Sequence, residues 1–385
     1  AIGVPGEGFG ITPNAGAVHV LYGSSTGLSS TGIDFWYQGT LNWLADEPEA
    51  GDNFGNALAS GDFDGDKYDD LAIGVYKEDL ENGTVKTTAG AVHVLYGSED
   101  GLSGARDQVF DQDMLGHPAD RAYQGDWFGY ALAAGSFDCD PYDDLAVGVP
   151  REYVGAHAAG AVNVIYGSPS GLTTLLSMFW TQEMMDSTAP GRAEGGDQFG
   201  SALASGDFDA DGCADLAIGS PGETIAGEYL AGAVGVLYGS KGGLGVSEPD
   251  QFFTQNPASV GSTPEYGDRF GAAVATGDFD GNGAADLAVG VPDEDADHRT
   301  AQDSGMVHVF HSVPGGRLTS SGSQSWNQDD LAFQGAITAG PNEHFGYALA
   351  ASPPPPHTVY VPGVMLNFNF GPSDRSLKEN LSPVD

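Results

Sequence analysis

Residues 54–75 read FGNALASGDFDGDKYDDLAIGV, and this pattern returns along the chain at a nearly constant period. The spacings between successive Phe-Gly pairs are 74, 71, 71 and 75 residues, and the first four pairs follow Gly-Asp-X. The five pairs are Phe54-Gly55, Phe128-Gly129, Phe199-Gly200, Phe270-Gly271 and Phe345-Gly346. A fixed period of this length indicates an architecture of repeated structural units.

Each repeat predicts four short β-strands. After Phe-Gly come a short apolar stretch, a Leu-Ala-[Ile/Val]-Gly stretch, a Gly-[Ala/Met]-Val-X-Val stretch and an aromatic-X-Gln stretch. All are β-branched or aromatic and bounded by Gly, Asp or Ser, which is the signature of strands, and none shows a sustained helical period. Four strands in each of several repeated units predict an all-β fold, a β-propeller with four-stranded blades.

The same motifs resemble the FG-GAP repeat family, the blades of the integrin α-subunit head and its bacterial relatives, over about residues 1–350. The Gly of each Leu-Ala-[Ile/Val]-Gly stretch opens a Gly-[Val/Ser]-[Pro/Tyr] motif that corresponds to the GAP part of the family name. Its copies are Gly74-Val75-Tyr76, Gly148-Val149-Pro150, Gly219-Ser220-Pro221 and Gly290-Val291-Pro292. Propellers of this family usually have seven blades, whereas every strand type occurs five times here. Either Ala1 and Ser352 end the two parts of one composite blade in a five-bladed ring, or the chain is a fragment of a larger propeller.

An Asp-rich loop lies between the first and second predicted strands. In residues 62–70, oxygen ligands at positions 1, 3, 5 and 9 and a backbone carbonyl at position 7 suit a hard cation of high coordination number, and Ca²⁺ fits better than Mg²⁺. The predicted ligands of the first loop are Asp62, Asp64, Asp66, the Tyr68 carbonyl and Asp70. Those of the third are Asp207, Asp209, Asp211, the Cys213 carbonyl and Asp215, and those of the fourth are Asp278, Asp280, Asn282, the Ala284 carbonyl and Asp286.

The second loop predicts a weaker site. Ser136 stands where the other loops have Asp, and Pro141 occupies position 6. The remaining ligands would be Asp138, Asp140, the Tyr142 carbonyl and Asp144. The alternative for all four loops is a solvated acidic turn, but carboxylates so close together repel one another unless a cation lies among them.

Composition excludes several classes of protein. The 385 residues carry 13 Lys+Arg against 54 Asp+Glu, a net charge of −41, which disfavours nucleic acid and anionic membranes as partners. No apolar run approaches the roughly 20 residues of a membrane-spanning helix. Two cysteines, Cys139 and Cys213, lie in similar loops of neighbouring repeats. Pairing is possible, but nothing in the sequence supports it, and we do not expect a disulfide because its geometry is demanding.

No residue is predicted to be catalytic. His19, His93 and His308 share one repeat position that also accepts Asn163 and Gly235, which indicates a structural role. Hydrolase, metalloprotease and P-loop motifs are absent from the sequence. The aromatic-X-Gln motif allows a sugar-stacking surface as an alternative, although a repeated aromatic more often packs between blades.

The C-terminal segment differs from the repeats. We expect a propeller over residues 1–352, a Pro-rich linker and tail over 353–372, and a further segment over 373–385. This last segment resembles the start of the peptidase S74 intramolecular chaperone of phage tail spikes, in which Ser373 and Lys378 would match the self-cleaving pair. The resemblance implies a longer parent protein and a homotrimer formed through a missing C-terminal domain; an ordinary polar tail is the alternative.

The sequence therefore predicts an extracellular or cell-surface, calcium-binding adhesion or ligand-binding module with structural metal, and not an enzyme. Its partner would be a protein or glycan bound on a propeller face. The alternatives are a lectin-like glycan binder, a structural part of a trimeric surface or phage-like fibre, and a non-catalytic propeller of a larger hydrolase.

Overall fold

The computed structural model describes residues 1–24, 27–41, 47–80, 85–117, 120–185, 192–246, 249–255, 262–295, 303–330, 341–351 and 364–366. Over these residues the regular structure is almost all β-strand. The exceptions are one short helix, α1(Gln112–Leu115), and two 3-10 turns, Gln38–Thr40 and Gln182–Met184. None of the described helices is long and apolar enough to cross a membrane.

The strands form antiparallel sheets that we number as blades 1 to 5 in chain order. Blade 1 has three strands, β1(Ile2–Val4), β2(Ala17–Val20) and β5(Asp34–Trp36). The segment between β2 and β5 forms a separate small hairpin, β3(Gly23–Ser24) and β4(Gly27–Leu28). Blade 2 has β6(Leu58–Gly61), β7(Asp70–Val75), β8(Ala91–Tyr96) and β9(Ser103–Phe110). Blade 3 has β10(Leu132–Gly135), β11(Asp144–Val149), β14(Ala161–Tyr166) and β15(Thr173–Trp180). The connection from β11 to β14 forms a separate hairpin, β12(Tyr153–Val154) and β13(His157–Ala158).

Blades 4 and 5 repeat the same order. Blade 4 has β16(Ala202–Gly206), β17(Asp215–Ser220), β18(Ala233–Leu237) and β19(Gln251–Phe253). Blade 5 has β20(Ala273–Gly277), β21(Asp286–Val291), β22(Met306–Ser312) and β23(Leu318–Trp326). A final pair, β24(Leu349–Ala351) and β25(Val364–Leu366), follows.

The hydrophobic core lies between successive blades. Both faces of the second and third strands are buried, as in β7 and β8, so these strands are continuously apolar and do not alternate. One cluster joins Phe63 and Val94 of blade 2 to Leu145 and Ile165 of blade 3. Each sheet is thus stabilised mainly by the next one.

Phe-Gly joins each blade to the preceding one through the backbone. The Phe128 N–H donates to the Ala89 carbonyl at 2.8 Å, and the same bond recurs from Phe54, Phe199, Phe270 and Phe345. Gly90 has φ +96°, and a Cβ there would lie 2.2 Å from the Phe128 carbonyl oxygen. Glycine recurs at this repeat position because the backbone of the next blade lies too close for a side chain.

The predicted β-propeller fold is confirmed: four-stranded antiparallel sheets follow one another in the order of the repeats. The inner strands of neighbouring blades are linked by side chains, since Ser205 Oγ donates to the Ala134 carbonyl and Thr276 Oγ1 to the Ser205 carbonyl. β24 pairs with β25, and β1 pairs with β2. Among the described residues, the two ends therefore do not form the composite blade considered above.

The segment expected to be a Pro-rich linker contains one described strand, β25. The rest of residues 352–385, including Ser373 and Lys378, lies outside the described residues. The domain boundaries and the S74-like segment remain predictions.

Candidate metal loops and the opposite face

We call the Asp-rich connections loop I (62–70), loop II (136–144), loop III (207–215) and loop IV (278–286). In each, the first strand of a blade ends just before position 1 and the second begins at position 9, so the loops share one face of the propeller. The position-9 aspartate accepts two backbone hydrogen bonds in every loop. In loop I, Asp70 accepts from Phe63 at 2.8 Å and from Gly97 at 2.7 Å, which ties the loop to the end of β8.

The position-9 carboxylates are buried, and burial is the main cause of their raised pKa. It raises the pKa of Asp70 and Asp144 to about 7 and that of Asp215 to about 8, and neighbouring loop carboxylates add to the shift. The pKa of Asp286 is also raised by burial. A cation among these groups would favour their ionised forms and offset the cost of burying them.

Loop I fits a hard divalent cation. Oxygens of Asp62, Asp64 and Asp66 lie within 4.8 Å of one another. Each carboxylate accepts a backbone N–H: Asp62 from Lys67, Asp64 from Asp66, and Asp66 from Tyr68. These hydrogen bonds orient the three side chains within the loop. Asp62 Oδ1 is buried without a hydrogen-bond partner, so an oxygen suited to a cation points into the loop.

Loop III assembles a similar group. Oxygens of Asp207, Asp209 and Asp215 lie within 4.8 Å of one another, and Asp211 accepts a hydrogen bond from the Cys213 N–H at 2.8 Å. Asp207 is held by the Asp211 and Gly212 N–H groups. The arrangement brings carboxylates from positions 1, 3 and 9 together.

Loop II differs, as its sequence predicts. Ser136 Oγ donates to the Asp140 carbonyl at 2.9 Å and does not replace the missing carboxylate. Asp138 and Asp140 accept only local backbone bonds, from Asp140 and Tyr142. Three groups of metal-ligand atoms are found among the described residues, and none is in loop II.

Loop IV contains a ligand that the sequence analysis missed. Its group consists of Asp280, Asp286 and His311, and His311 comes from the end of β22. Asp278 accepts three backbone bonds, and the Asn282 amide bridges the Ala284 N–H and the Ser312 carbonyl. His311 replaces the Tyr found at this repeat position in the other blades, and that exception was the available signal.

The four loops are joined into a chain. The Asp143 N–H of loop II donates to the Asp62 carbonyl of loop I, and Ala214 and Ala285 make the same bond to Ser136 and Asp207. Cys139 and Cys213 form a disulfide between loops II and III. The expectation that these cysteines do not pair was wrong, because backbone bonds hold neighbouring loops side by side and bring the two Cα atoms to 4.7 Å.

The opposite face carries exposed aromatic side chains. Strands 2 and 4 of each blade end there, next to the Phe-Gly pairs. Tyr76, Trp127 and Tyr130 contact one another with ring centroids 5.2–5.7 Å apart, and Arg151 lies over the Trp127 ring at 4.6 Å. Tyr229 stacks on Tyr266, which is 71% exposed. We call this the aromatic face.

The aromatic-X-Gln motif is a blade-to-blade contact. Gln112, Gln182 and Gln255 are buried, and their amides donate to Glu152, Glu223 and Glu294 of the following blade. Gln38 donates to Glu78 in the same way. The Trp180 ring is only 8% exposed, so this motif does not form a sugar-stacking surface in blade 3. The sequence analysis missed the glutamates, although they recur four residues after each Gly of the Gly-[Val/Ser]-[Pro/Tyr] position.

The repeated histidines are structural where they are buried. His93 and His308 have no exposed surface; the His93 ring meets Phe54 edge-on, and the His308 ring is tilted against Phe270. Burial lowers the pKa of His308 to about 4, so it is neutral at ordinary pH.

The strand order and the phased loops define a β-propeller built from repeated blades. A family model described as "FG-GAP repeat" matches residues 54–95, 199–237 and 270–310. Together with the relatives below, these matches support an FG-GAP, integrin-α-like family.

Two of the similar proteins are integrin α chains. Integrin alpha-PS2 of Drosophila melanogaster is 29% identical over 57% of this chain and 14% of its own length. Integrin alpha-5 of Xenopus laevis is 31% identical over 62% of this chain and 20% of its own length. The chain therefore matches about a fifth or less of each integrin.

Another relative is an enzyme. Phosphatidylinositol-glycan-specific phospholipase D of Rattus norvegicus is 32% identical over 48% of this chain and 20% of its own length. The shared part is the FG-GAP-like region, so this match gives no support for an enzymatic activity of this chain.

Proposed function

We propose that this chain is an extracellular adhesion module that binds a protein ligand through its aromatic face, with Ca²⁺ stabilising the loops on the other face. The observation that carries the proposal is the separation of the two faces. Carboxylates lie on one, and Tyr76, Trp127 and Tyr130 form a half-buried ring cluster on the other. Aromatic and Arg side chains provide most of the energy of many protein interfaces.

Calcium is the cation best suited to loops I and III. Their donors are all oxygens, and each loop offers four carboxylates and one backbone carbonyl position, close to the six to eight oxygens that Ca²⁺ takes. Asp62, Asp64 and Asp70 would hold the ion in loop I, together with Asp66 and the Tyr68 carbonyl. Millimolar extracellular calcium would keep such sites filled, and the resemblance to integrin α chains supports a cell-surface or extracellular location.

The ligand test compares the two faces directly. Trp127→Ala and Tyr76→Ala remove rings from the aromatic face, while Tyr68→Ala removes a 43% exposed ring from loop I and leaves its backbone carbonyl in place. Binding to immobilised extracellular-matrix proteins is measured for each variant in saturating Ca²⁺. We expect the first two variants to lose at least tenfold in affinity, as interface hot spots do, and Tyr68→Ala to behave as wild type.

A glycan array run with the same variants distinguishes the lectin alternative. Retention of glycans that depends on Trp127, without retention of any matrix protein, would replace the protein ligand by a carbohydrate. Equal losses for Tyr68→Ala and Trp127→Ala would remove the aromatic face as the binding surface.

A further inference from the structure

His311 is the one exception in a repeated tyrosine position. The sixth residue after the Gly of Gly-[Ala/Met]-Val-X-Val is a tyrosine in the other blades, Tyr22, Tyr96, Tyr166 or Tyr238. The Tyr96 hydroxyl accepts the Leu172 N–H of the next blade at 2.8 Å, and Tyr22 and Tyr238 make the same bond to Leu102 and Leu318. The tyrosine is thus a contact between blades.

In blade 5 the imidazole is directed at the metal loop. His311 Nδ1 lies 3.3 Å from Asp286 Oδ2 and 3.9 Å from Asp280 Oδ2. This nitrogen is screened from solvent, and its nearest partners are these two carboxylates, of which Asp286 pairs with it. Three donor atoms of two kinds therefore converge, and the nitrogen has no other partner to satisfy it.

The 3.3 Å between His311 Nδ1 and Asp286 Oδ2 matches the spacing of two donors around a small ion, and Asp280 Oδ2 lies farther from Nδ1, at 3.9 Å. Zn²⁺ binds imidazole nitrogen and carboxylate oxygen at about 2.0–2.2 Å, so donors around one ion lie roughly 3–3.5 Å apart. Asp286 is fixed by the Phe279 and Ser312 N–H groups, each at 2.8 Å. Such hydrogen bonds from outside the coordination sphere hold a ligand in place for a metal.

Loop IV is also less suited to calcium than loops I and III. Position 5 is the neutral Asn282, whose amide is engaged by the Ser312 carbonyl and the Ala284 N–H. Asp278 is held by the Gly281, Asn282 and Gly283 N–H groups. Fewer charged oxygens remain for a hard cation, while an imidazole suits Zn²⁺, Ni²⁺ and related ions.

From this geometry we infer that Asp280, Asp286 and His311 form a mixed oxygen and nitrogen site that binds a borderline transition-metal ion, Zn²⁺ or one of similar chemistry, in preference to Ca²⁺. The site deepens the proposed metal-stabilised propeller, but it requires neither a ligand on the aromatic face nor calcium in loops I and III.

The test uses the whole chain and Zn²⁺ itself. Calorimetric titration with Zn²⁺ in excess Ca²⁺ is carried out on wild type, His311→Tyr and His311→Gln. His311→Tyr restores the residue of the other blades, and His311→Gln keeps a polar side chain should the tyrosine disturb folding. We expect one Zn²⁺ per wild-type chain and a loss of affinity of at least about 10- to 100-fold in both variants, since even an outer-shell partner is worth that much.

His344→Asn is the matched control. His344 Nδ1 lies 2.7 Å from Asp293 Oδ1, so it is another histidine–carboxylate pair, and it lies outside loop IV. Its φ is +53°, which Asn tolerates, and Asn53 occupies the same repeat position in an earlier copy. This variant should keep the Zn²⁺ site and the visible absorption that Co²⁺ gives when it replaces Zn²⁺.

Three results would overturn the inference. They are an absence of Zn²⁺ binding in wild type, unchanged binding in both His311 variants, and loss of binding in His344→Asn. Tighter Ca²⁺ binding in His311→Gln, with no Zn²⁺ bound by wild type, would show instead that the contact of His311 with Asp286 takes the place of a metal ion in loop IV. Ca²⁺ titration of the same samples reports loops I and III separately, so failure of the calcium proposal remains distinguishable.

Discussion

At the scale of single residues, the contact between blades 2 and 3 buries more carboxyl oxygens than it has hydrogen-bond donors for them. The Gln112 amide donates to Asp120 and to Glu152, each at 2.7 Å, and all three side chains are buried. Gln112 Oε1, Asp120 Oδ2 and Asp126 Oδ1 have no hydrogen-bond donor. Burial raises the pKa of Glu152 to about 9, and the charges of Asp126 and Asp120 add to this, so the folded contact holds a proton.

Glu152→Gln should make the protein more stable at alkaline pH. The folded-state pKa of Glu152 is above its ordinary value of 4.5, so the stability it contributes is present below pH 4.5 and is lost as the pH rises through about 9. Glutamine resembles the protonated acid and can still accept from Gln112. We expect a gain of about 1–3 kcal/mol in the free energy of unfolding at pH 8 and little change at pH 5.

Urea unfolding of wild type and Glu152→Gln across pH 5–9, in saturating Ca²⁺, measures this effect. Glu183→Gln makes the same charge change at an exposed position and serves as the control. Equal pH profiles for the two variants would mean that Glu152 is ionised in the folded protein at pH 8.

At the scale of elements, neighbouring metal loops support one another. Loop II lacks the position-1 carboxylate, and it is the loop that the Cys139–Cys213 disulfide ties to loop III. Backbone bonds already link the loops, so the disulfide strengthens a contact that exists without it. It thereby gives a covalent constraint to loop II, whereas loops I and III each have an aspartate at position 1.

Removing the disulfide should destabilise the chain and loosen loop III. The two cysteines are 74 residues apart, and closing a loop of that length is worth about 4 kcal/mol by chain entropy. The double variant Cys139→Ser with Cys213→Ser should therefore unfold at lower urea concentration and bind Ca²⁺ more weakly in loop III, with loop I unchanged. Wild type treated with reductant is the control, and a variant that unfolds like the oxidised wild type would contradict this account.

Ser136→Asp should create a calcium site in loop II. The substitution introduces the carboxylate that the other loops have at position 1. At position 9, Asp144 already accepts hydrogen bonds from the Phe137 and Gly167 N–H groups. We expect calorimetry to find one more Ca²⁺ per chain than in wild type. Ser170→Asp, which adds the same charge at an exposed turn on this face, should leave the number unchanged.

How far sequence predicts these elements depends on whether the signal repeats. The strands, the Phe-Gly contacts and the Asp loops recur with a fixed period, so they could be derived from residues 54–75 and their copies. The Gln112–Glu152 contact joins two motifs in different repeats, and only the structure brings them together. His311 and the disulfide are departures from the repeat, and their effect depends on which loops are neighbours in space.

At the scale of the whole molecule, a net charge of −41 sets the balance between general and specific cation effects. Any cation screens the mutual repulsion of so many carboxylates, so salt alone should stabilise the fold. Calcium in the loops would add a binding term, RT ln(1 + [L]/Kd), which is about 2.7 kcal/mol for each site at 100 times its Kd. Screening and calcium binding can be separated, because only calcium binding depends on which aspartates in the loops are present.

Chelation should therefore lower the melting temperature even when ionic strength is held constant. Melting is compared in CaCl₂ and in EDTA with NaCl added to the same ionic strength, for wild type, Asp62→Asn and Asp69→Asn. Asp62 holds position 1 of loop I, whereas Asp69 is exposed at position 8, and both changes reduce the net charge equally. We expect the calcium-dependent part of the melting temperature to fall in Asp62→Asn and to persist in Asp69→Asn. A dependence on ionic strength alone, the same in all three proteins, would mean that the loops are acidic turns whose carboxylates are merely screened.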